Sequence, residues 1–199
     1  LKEALEEANL RSREVAALLK GSSAVLRYGD FKTAARAIFD SCKELIGASA
    51  GYIALLSSDG TENDVVFLDP GTLSCAVDPS TPMPIRGLRE TTYRTGEAAY
   101  ENDFKSSLWT KLLPGGHVAL DNVLFAPLVI EGKVVGLLGL ANKPCDFTKN
   151  DRKMAAAFGE LAAVALYNGR AMELLESSEK ELNRHRVQLE SIGLLAGGI

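Results

Sequence analysis

The chain is poor in the residues that carry most redox, metal and nucleophilic chemistry. Its 199 residues hold three cysteines, two histidines and one tryptophan. Cys42, Cys75 and Cys145 lie far apart, with no CxxC pair and no histidine cluster at zinc spacing. That pattern excludes a disulfide framework and a sequence-local zinc site, and it suits reduced thiols in a cytoplasmic protein. GxSxG, HExxH, a P-loop and a paired His/Cys arrangement are all missing, so no catalytic chemistry is expected of this segment. No apolar run approaches the roughly 18 residues needed to span a membrane. There is no basic surplus: 22 Lys and Arg face 26 Asp and Glu, a net charge of -4. That balance argues against a nucleic-acid-binding face. An initiator Met is also missing, and the chain ends on the apolar IGLLAGGI; both ends are expected to be cuts in a longer protein.

What is present is ordinary core material, 46% hydrophobic residues, ample for one buried core at this length. The first segment carries Leu1, Leu5, Ala8, Ser12, Val15, Leu19, Ser22 and Leu26 at alternating spacings of four and three, a coiled-coil rhythm. Gly21-Ser22-Ser23 is expected to interrupt that helix. A second helix opens at Asp30, repeats apolar residues from Phe31 to Ile46 and stops at Gly47. The period then shifts to strands, 51–56 and 64–68, about the turn Ser57–Gly60. Residues 72–85 carry Pro79, Pro82 and Pro84 and read as an irregular crossing. A short helix over 86–95, a short strand over 97–100 and a long connection over 105–121 follow. Connections of that length in a compact domain are often functional.

The strongest strand signal is the pair 122–130 and 133–141 about Glu131-Gly132, nearly all apolar and so covered on both faces. Thr148-Lys-Asn-Asp151 has the form of a capping box for a last helix. From Leu175 its apolar positions recur every seven residues at Leu182, Leu189 and Ala196, beside a weaker row of Ser178, His185, Ile192 and Ile199. The stretch 151–191 as one helix would reach about 60 Å, longer than a domain of this size, and its charged far half needs a partner helix. The expected architecture is α+β, an antiparallel sheet flanked by helices, with long coiled-coil-type helices at both ends. The dimer seam is placed at Leu5, Val15, Leu19, Leu175, Leu182, Leu189 and Ile192.

The order of elements, the hairpin VLFAPLVIEGKVVGLLGLANK, the helix start Phe147-Thr-x-x-Asp151 and RTGEAAYENDF before the long connection resemble a GAF domain over 29–171. Residues 1–28 then form an N-terminal signalling helix, and 172–199 a C-terminal one. IGLLAGGI resembles the start of the dimerisation helix of a sensor histidine kinase, just short of its phospho-accepting histidine. His185 falls on the weaker heptad row and is not that histidine. The resemblance implies a regulatory sensor that binds a small molecule or relays an upstream signal through a dimeric rod. A kinase core would follow in cis, with a response regulator as partner of the parent protein. The alternatives are a ligand-free GAF dimerisation spacer and a cyclic-nucleotide-binding GAF domain.

In this family the long connection lines a cavity over the sheet. The implied ligand-pocket residues are Phe67, Tyr93, Tyr100, Asn102, Asp103, Trp109, His117 and Phe125. Asn142-Lys143…Phe147…Asp151 resembles the NKxnFxxxDE signature of cyclic-nucleotide-binding members, with Arg152 in place of the final Glu. The implied role of Asn142, Lys143 and Asp151 is a structural clasp, worth at most about 1 kcal/mol if exposed. No bilin or haem signature is present, no metal is implied, and the cofactor is unknown.

Overall fold

The computed structural model describes residues 1–71, 77, 78 and 81–196, with side chains followed as far as Leu189. Cys75, Pro79, Ile199 and the side chain of Ile192 lie outside the described residues. In chain order the elements are α1 (Lys2–Arg27), α2 (Phe31–Ile46), β1 (Ala50–Leu56), β2 (Asn63–Asp69), α3 (Leu88–Thr95), β3 (Ala99–Glu101), two 3₁₀ turns (Phe104–Ser106 and Leu108–Leu112), β4 (Val123–Ile130), β5 (Lys133–Ala141) and α4 (Lys149–Ala196). The strands form one antiparallel sheet in the order β2-β1-β5-β4-β3.

Local chemistry explains most boundaries. The Asp30 carboxylate accepts the Thr33 N–H at 2.8 Å and caps α2. Gly47 closes that helix in the left-handed conformation, φ 80°. Glu131 and Gly132 both have positive φ, 51° and 76°, which is the turn that suits a two-residue hairpin. β3 pairs only with Val123–Phe125, so β4 is an edge beyond that point, where Pro127 is tolerated. At α4 the capping box is reciprocal: the Thr148 N–H donates to Asp151 Oδ2 at 2.7 Å and the Asp151 N–H to Thr148 Oγ1 at 3.1 Å.

Period-two alternation gives the sheet two different faces. Leu124, Ala126 and Leu128 of β4, with Leu138 and Leu140 of β5, point to the helices and join Ile38, Phe39, Ile53 and Phe158 in the main core. Val123, Phe125 and Ala141 point the other way and form a second, smaller cluster with Leu88 and Phe104.

The expected break at Gly21-Ser22-Ser23 does not occur; α1 is continuous. Gly21 packs directly against α4, and a Cβ there would meet Leu161 Cδ1 at 3.0 Å and Phe158 Cε1 at 3.1 Å. This packing outweighs the cost of about 1 kcal/mol for a helical glycine. Glu14 accepts from Asn150 Nδ2 at 2.6 Å, so contacts advance together along both helices and α1 runs parallel to α4. Residues 1–13 of α1 are exposed at one end, and α4 is exposed from Arg170 through Leu189 at the other. By helical rise the 27 residues 170–196 reach about 40 Å from the last buried position, Gly169. The helix continues through Gly193 to Ala196. No described helix is long and apolar enough to cross a membrane.

Candidate functional site

A cavity of about 550 Å³ lies over the sheet face opposite the helices. Its floor is β1, β4 and β5, through Tyr52, Val123, Phe125 and Gly139. Gly139 is required there, because a Cβ would stand 2.7 Å from the Tyr52 ring and 3.1 Å from Phe125. Tyr52 and Phe125 rings meet at 6.3 Å, tilted by 54°. One wall is the segment entering α3, from Met83 to Arg89. The other is the long connection, from Trp109 to Leu120. Trp109 packs across Gly87, where a Cβ would lie 3.0 Å from indole Cδ1. Val65 and Leu68 of β2, 42% and 53% exposed, also line it. The volume falls in the range of about 300–1,000 Å³ usual for small-molecule sites.

The polar groups on this mostly apolar surface are few. Arg86 spans the two walls, its Nη2 donating to the Leu112 carbonyl. Its Nε is buried and has no hydrogen-bond partner. The Tyr52 hydroxyl is in the same condition. Among the described residues these are the only two buried side-chain polar atoms left without a partner, and both residues line this cavity. Burial pushes the Tyr52 phenol above its usual value, against the opposing pull of the Arg89 charge and of an Arg89 N–H directed at the phenol oxygen, which leaves the O–H itself as the unspent donor. His117 Nδ1 lies 2.8 Å from the Val118 carbonyl. A carbonyl can only accept, so Nδ1 carries a proton. Asp69, also on the lining, binds Lys43 at 2.6 Å and Arg36 at 3.3 Å. Burial raises its pKa, but the Lys43 and Gly71 hydrogen bonds and the charges of Lys43 and Arg36 outweigh that and hold it below the ordinary carboxylate value.

Of the eight pocket residues expected from sequence, Trp109, His117 and Phe125 meet at this cavity. The other five do not line it. Phe67 lies on the helix side, edge-on to Phe39 at 5.2 Å. Tyr100 packs against the main core. Tyr93 donates to Asn63 Oδ1 at 2.8 Å, tying α3 to β2, and burial raises its pKa. Asn102 holds the Phe147 backbone at both ends, accepting its N–H at 2.7 Å and donating to its carbonyl at 3.0 Å. Asp103 is exposed. Tyr52, Arg86, Arg89 and the Gly87-Leu88 entry to α3 were not singled out by pattern, because a tyrosine in a strand and arginines before a helix have no distinctive local signature.

Lys143 Nζ meets Asp151 Oδ2 at 2.6 Å, with the two side chains only 11% and 12% exposed. The pair is therefore no surface contact. Asn142, at φ 55°, donates to the Ala119 carbonyl at 3.0 Å and accepts the Asp121 N–H at 2.9 Å, pinning the end of the long connection. Beside it, buried Asn122 donates to the carbonyls of Lys143 and Cys145 and accepts the Lys143 N–H at 2.9 Å. Asn122 is the main structural residue that sequence reading passed over.

Leu5, Val15 and Leu19 on α1 are 62%, 56% and 63% exposed, and Leu175, Leu182 and Leu189 on α4 are 60%, 72% and 69% exposed. On α4 the companion row extends back to Val164, 49% exposed. His185 is exposed on the same helix. The Cys42 thiol is buried, and burial, with the Asp151 charge, pushes its pKa up, which makes it unreactive. Among the described residues no group of three or more His, Cys, Asp or Glu is placed to hold a metal ion.

Solved structures share this fold at low identity. The GAF domain of a phosphoenolpyruvate-protein phosphotransferase from Coxiella burnetii superposes with a TM-score of 0.68 at 14% identity, covering 82% of this chain and 98% of that one. Free methionine-R-sulfoxide reductase from Neisseria meningitidis, in complex with its substrate, gives 0.62 at 18% identity over 80% and 91%. The GAF domain assigned to a sensor histidine kinase from Pseudomonas syringae pv. tomato gives 0.58 at 17% identity over 88% and 99%. A search of curated proteins finds no match. The GAF domain family matches residues 29–166, well over half of the sequence. With the sheet order, the flanking helices and the cavity in agreement, the chain belongs to the GAF domain family.

Proposed function

We propose that this GAF domain is the sensory module of a two-component histidine kinase. It binds a small molecule in the Trp109 cavity and passes occupancy through a dimeric helical rod to a kinase core. The observation that carries this reading is the cavity itself: Phe104, Trp109 and Phe125 wall a space of about 550 Å³ and leave it open. A spacer would be expected to pack those side chains into the space. The route to the rod is short. Phe125 faces the cavity, while the next residue, Ala126, faces α4, and a Cβ on Gly159 of that helix would stand 2.4 Å from the Pro127 backbone carbonyl. A ligand that moves β4 must therefore move α4. α1 and α4 leave the body at opposite ends, which suits input at one end and output at the other.

A thermal-shift screen of small molecules, read together with Trp109 fluorescence, tests the sensory role. The expected result is a compound class that raises Tm and alters Trp109 emission in the native chain, with both effects lost in Ala141→Phe, which fills the floor. If no compound does both, the ligand-free spacer reading replaces this one.

A further inference from the structure

We propose that the cavity selects small organic anions, a flat apolar body carrying one carboxylate, with Arg86 and Tyr52 as the groups that read the charge. This rests on the sensory reading above and specifies its ligand. Three observations support it. First, the two buried polar atoms without partners, Arg86 Nε and Tyr52 Oη, are both donors and both belong to the cavity lining. Buried donors left unpaired are destabilising, so a site that keeps two of them suits an acceptor brought by a ligand. Second, Arg86 is held by its Nη2 contact to the Leu112 carbonyl, so its Nε is presented on a fixed guanidinium. Arg89 lines the same wall and adds positive charge beside Tyr52. Third, the rest of the lining is apolar and aromatic, with Leu88, Trp109, Leu113 and Phe125 available to flat rings.

The charge of the anion follows from the same lining. Asp69 and Asp78 also face the cavity. Asp69 is already held by Lys43 and Arg36, so selection falls to the donors, and two donors match the two oxygens of one carboxylate better than the three of a phosphoryl group. Cations are disfavoured by the two arginines.

The test uses the native chain and its single tryptophan as reporter. 1-Naphthoate, 1-naphthamide and 1-naphthyl phosphate are titrated separately against Trp109 emission. The expected order is naphthoate first, with the amide and the phosphate each weaker by about tenfold or more, the yield of one charge-assisted hydrogen bond. Tyr52→Phe keeps the ring and removes only the hydroxyl; it is expected to weaken naphthoate severalfold and leave the amide unchanged. Because its O–H has no acceptor in the free protein and its oxygen faces only Arg89, the same variant is expected to change Tm little. Arg86→Met is expected to abolish the preference for naphthoate over the amide. Equal binding of naphthoate and naphthamide overturns the anion proposal while leaving the sensory reading intact. A preference for the phosphate overturns the carboxylate assignment. Silence of all three probes, with other compounds active in the screen, also overturns it, and silence of the whole screen removes the sensory reading as well.

Discussion

Replacing Asp151 with Ala removes three hydrogen bonds at once. Its carboxylate accepts from Lys143 Nζ at 2.6 Å, the Thr148 N–H at 2.7 Å and Thr148 Oγ1 at 2.9 Å. Two costs follow. The carboxylate half of the α4 capping box is lost, about 1 kcal/mol at most, while the backbone N–H of residue 151 still reaches Thr148 Oγ1. The Lys143 ammonium is left largely enclosed, its side chain 11% exposed, with only the Asp146 carbonyl at 3.3 Å. Stranding one partner of a buried pair costs about 3–5 kcal/mol. Lys143 sits near the surface and can swing partly outward, so the lower end applies and the total is about 3–4 kcal/mol. For a chain of this size that lowers Tm by about 10 °C. Lys143→Met is the milder change, about 1–2 kcal/mol, because Asp151 keeps both Thr148 donors. Urea unfolding followed by circular dichroism at 222 nm reads all three proteins. An Asp151→Ala loss below about 1 kcal/mol, the worth of an exposed pair, would refute the reasoning.

Gly21 offers a size test of the α1–α4 contact. Gly21→Ala gains about 1 kcal/mol of helix propensity and strains the Leu161 contact, so it is expected near neutral, whereas Gly21→Val is expected to lose about 1–3 kcal/mol. Hydrogen exchange over residues 17–25 should rise in the Val variant alone. Phe158, fully buried under the sheet, is expected to cost about 3–5 kcal/mol when cut to Ala, read by the same urea assay. Asp69 governs part of the acid limb. Its folded pKa is depressed, so its stabilisation is fully present above the unfolded value of about 3.9 and is lost as pH falls through the folded value. Asp69→Asn should be less stable than the native chain at neutral pH, and the gap should close as pH falls below about 4.

Features decided within a few residues could be read from the sequence. The Asp30 and Thr148 caps, the Glu131-Gly132 turn and the period of the paired apolar strands each carry their own local chemistry, and together they imply the family fold. Features decided by distant packing could not. Gly21 looks like a helix breaker until Phe158 and Leu161 stand against it. Phe67 and Tyr100 look like pocket walls because strand alternation alone does not say which face holds helices. Asn102 and Asn122 look like loop polarity, yet each holds backbone groups more than twenty residues away. The cavity's two unpartnered donors come from β1 and from the entry to α3, segments brought together only by the closed fold.

The relay depends on a dimer, and the exposed leucine row of α4 is where it is expected. Sedimentation equilibrium of the native chain beside Leu182→Asp/Leu189→Asp is the most direct measurement. The account predicts a dimer for the native chain and a folded monomer, unchanged in Trp109 emission, for the double variant. A native chain that stays monomeric at tens of micromolar, on the order of ordinary coiled-coil affinities, or a double variant that remains fully dimeric, would contradict it.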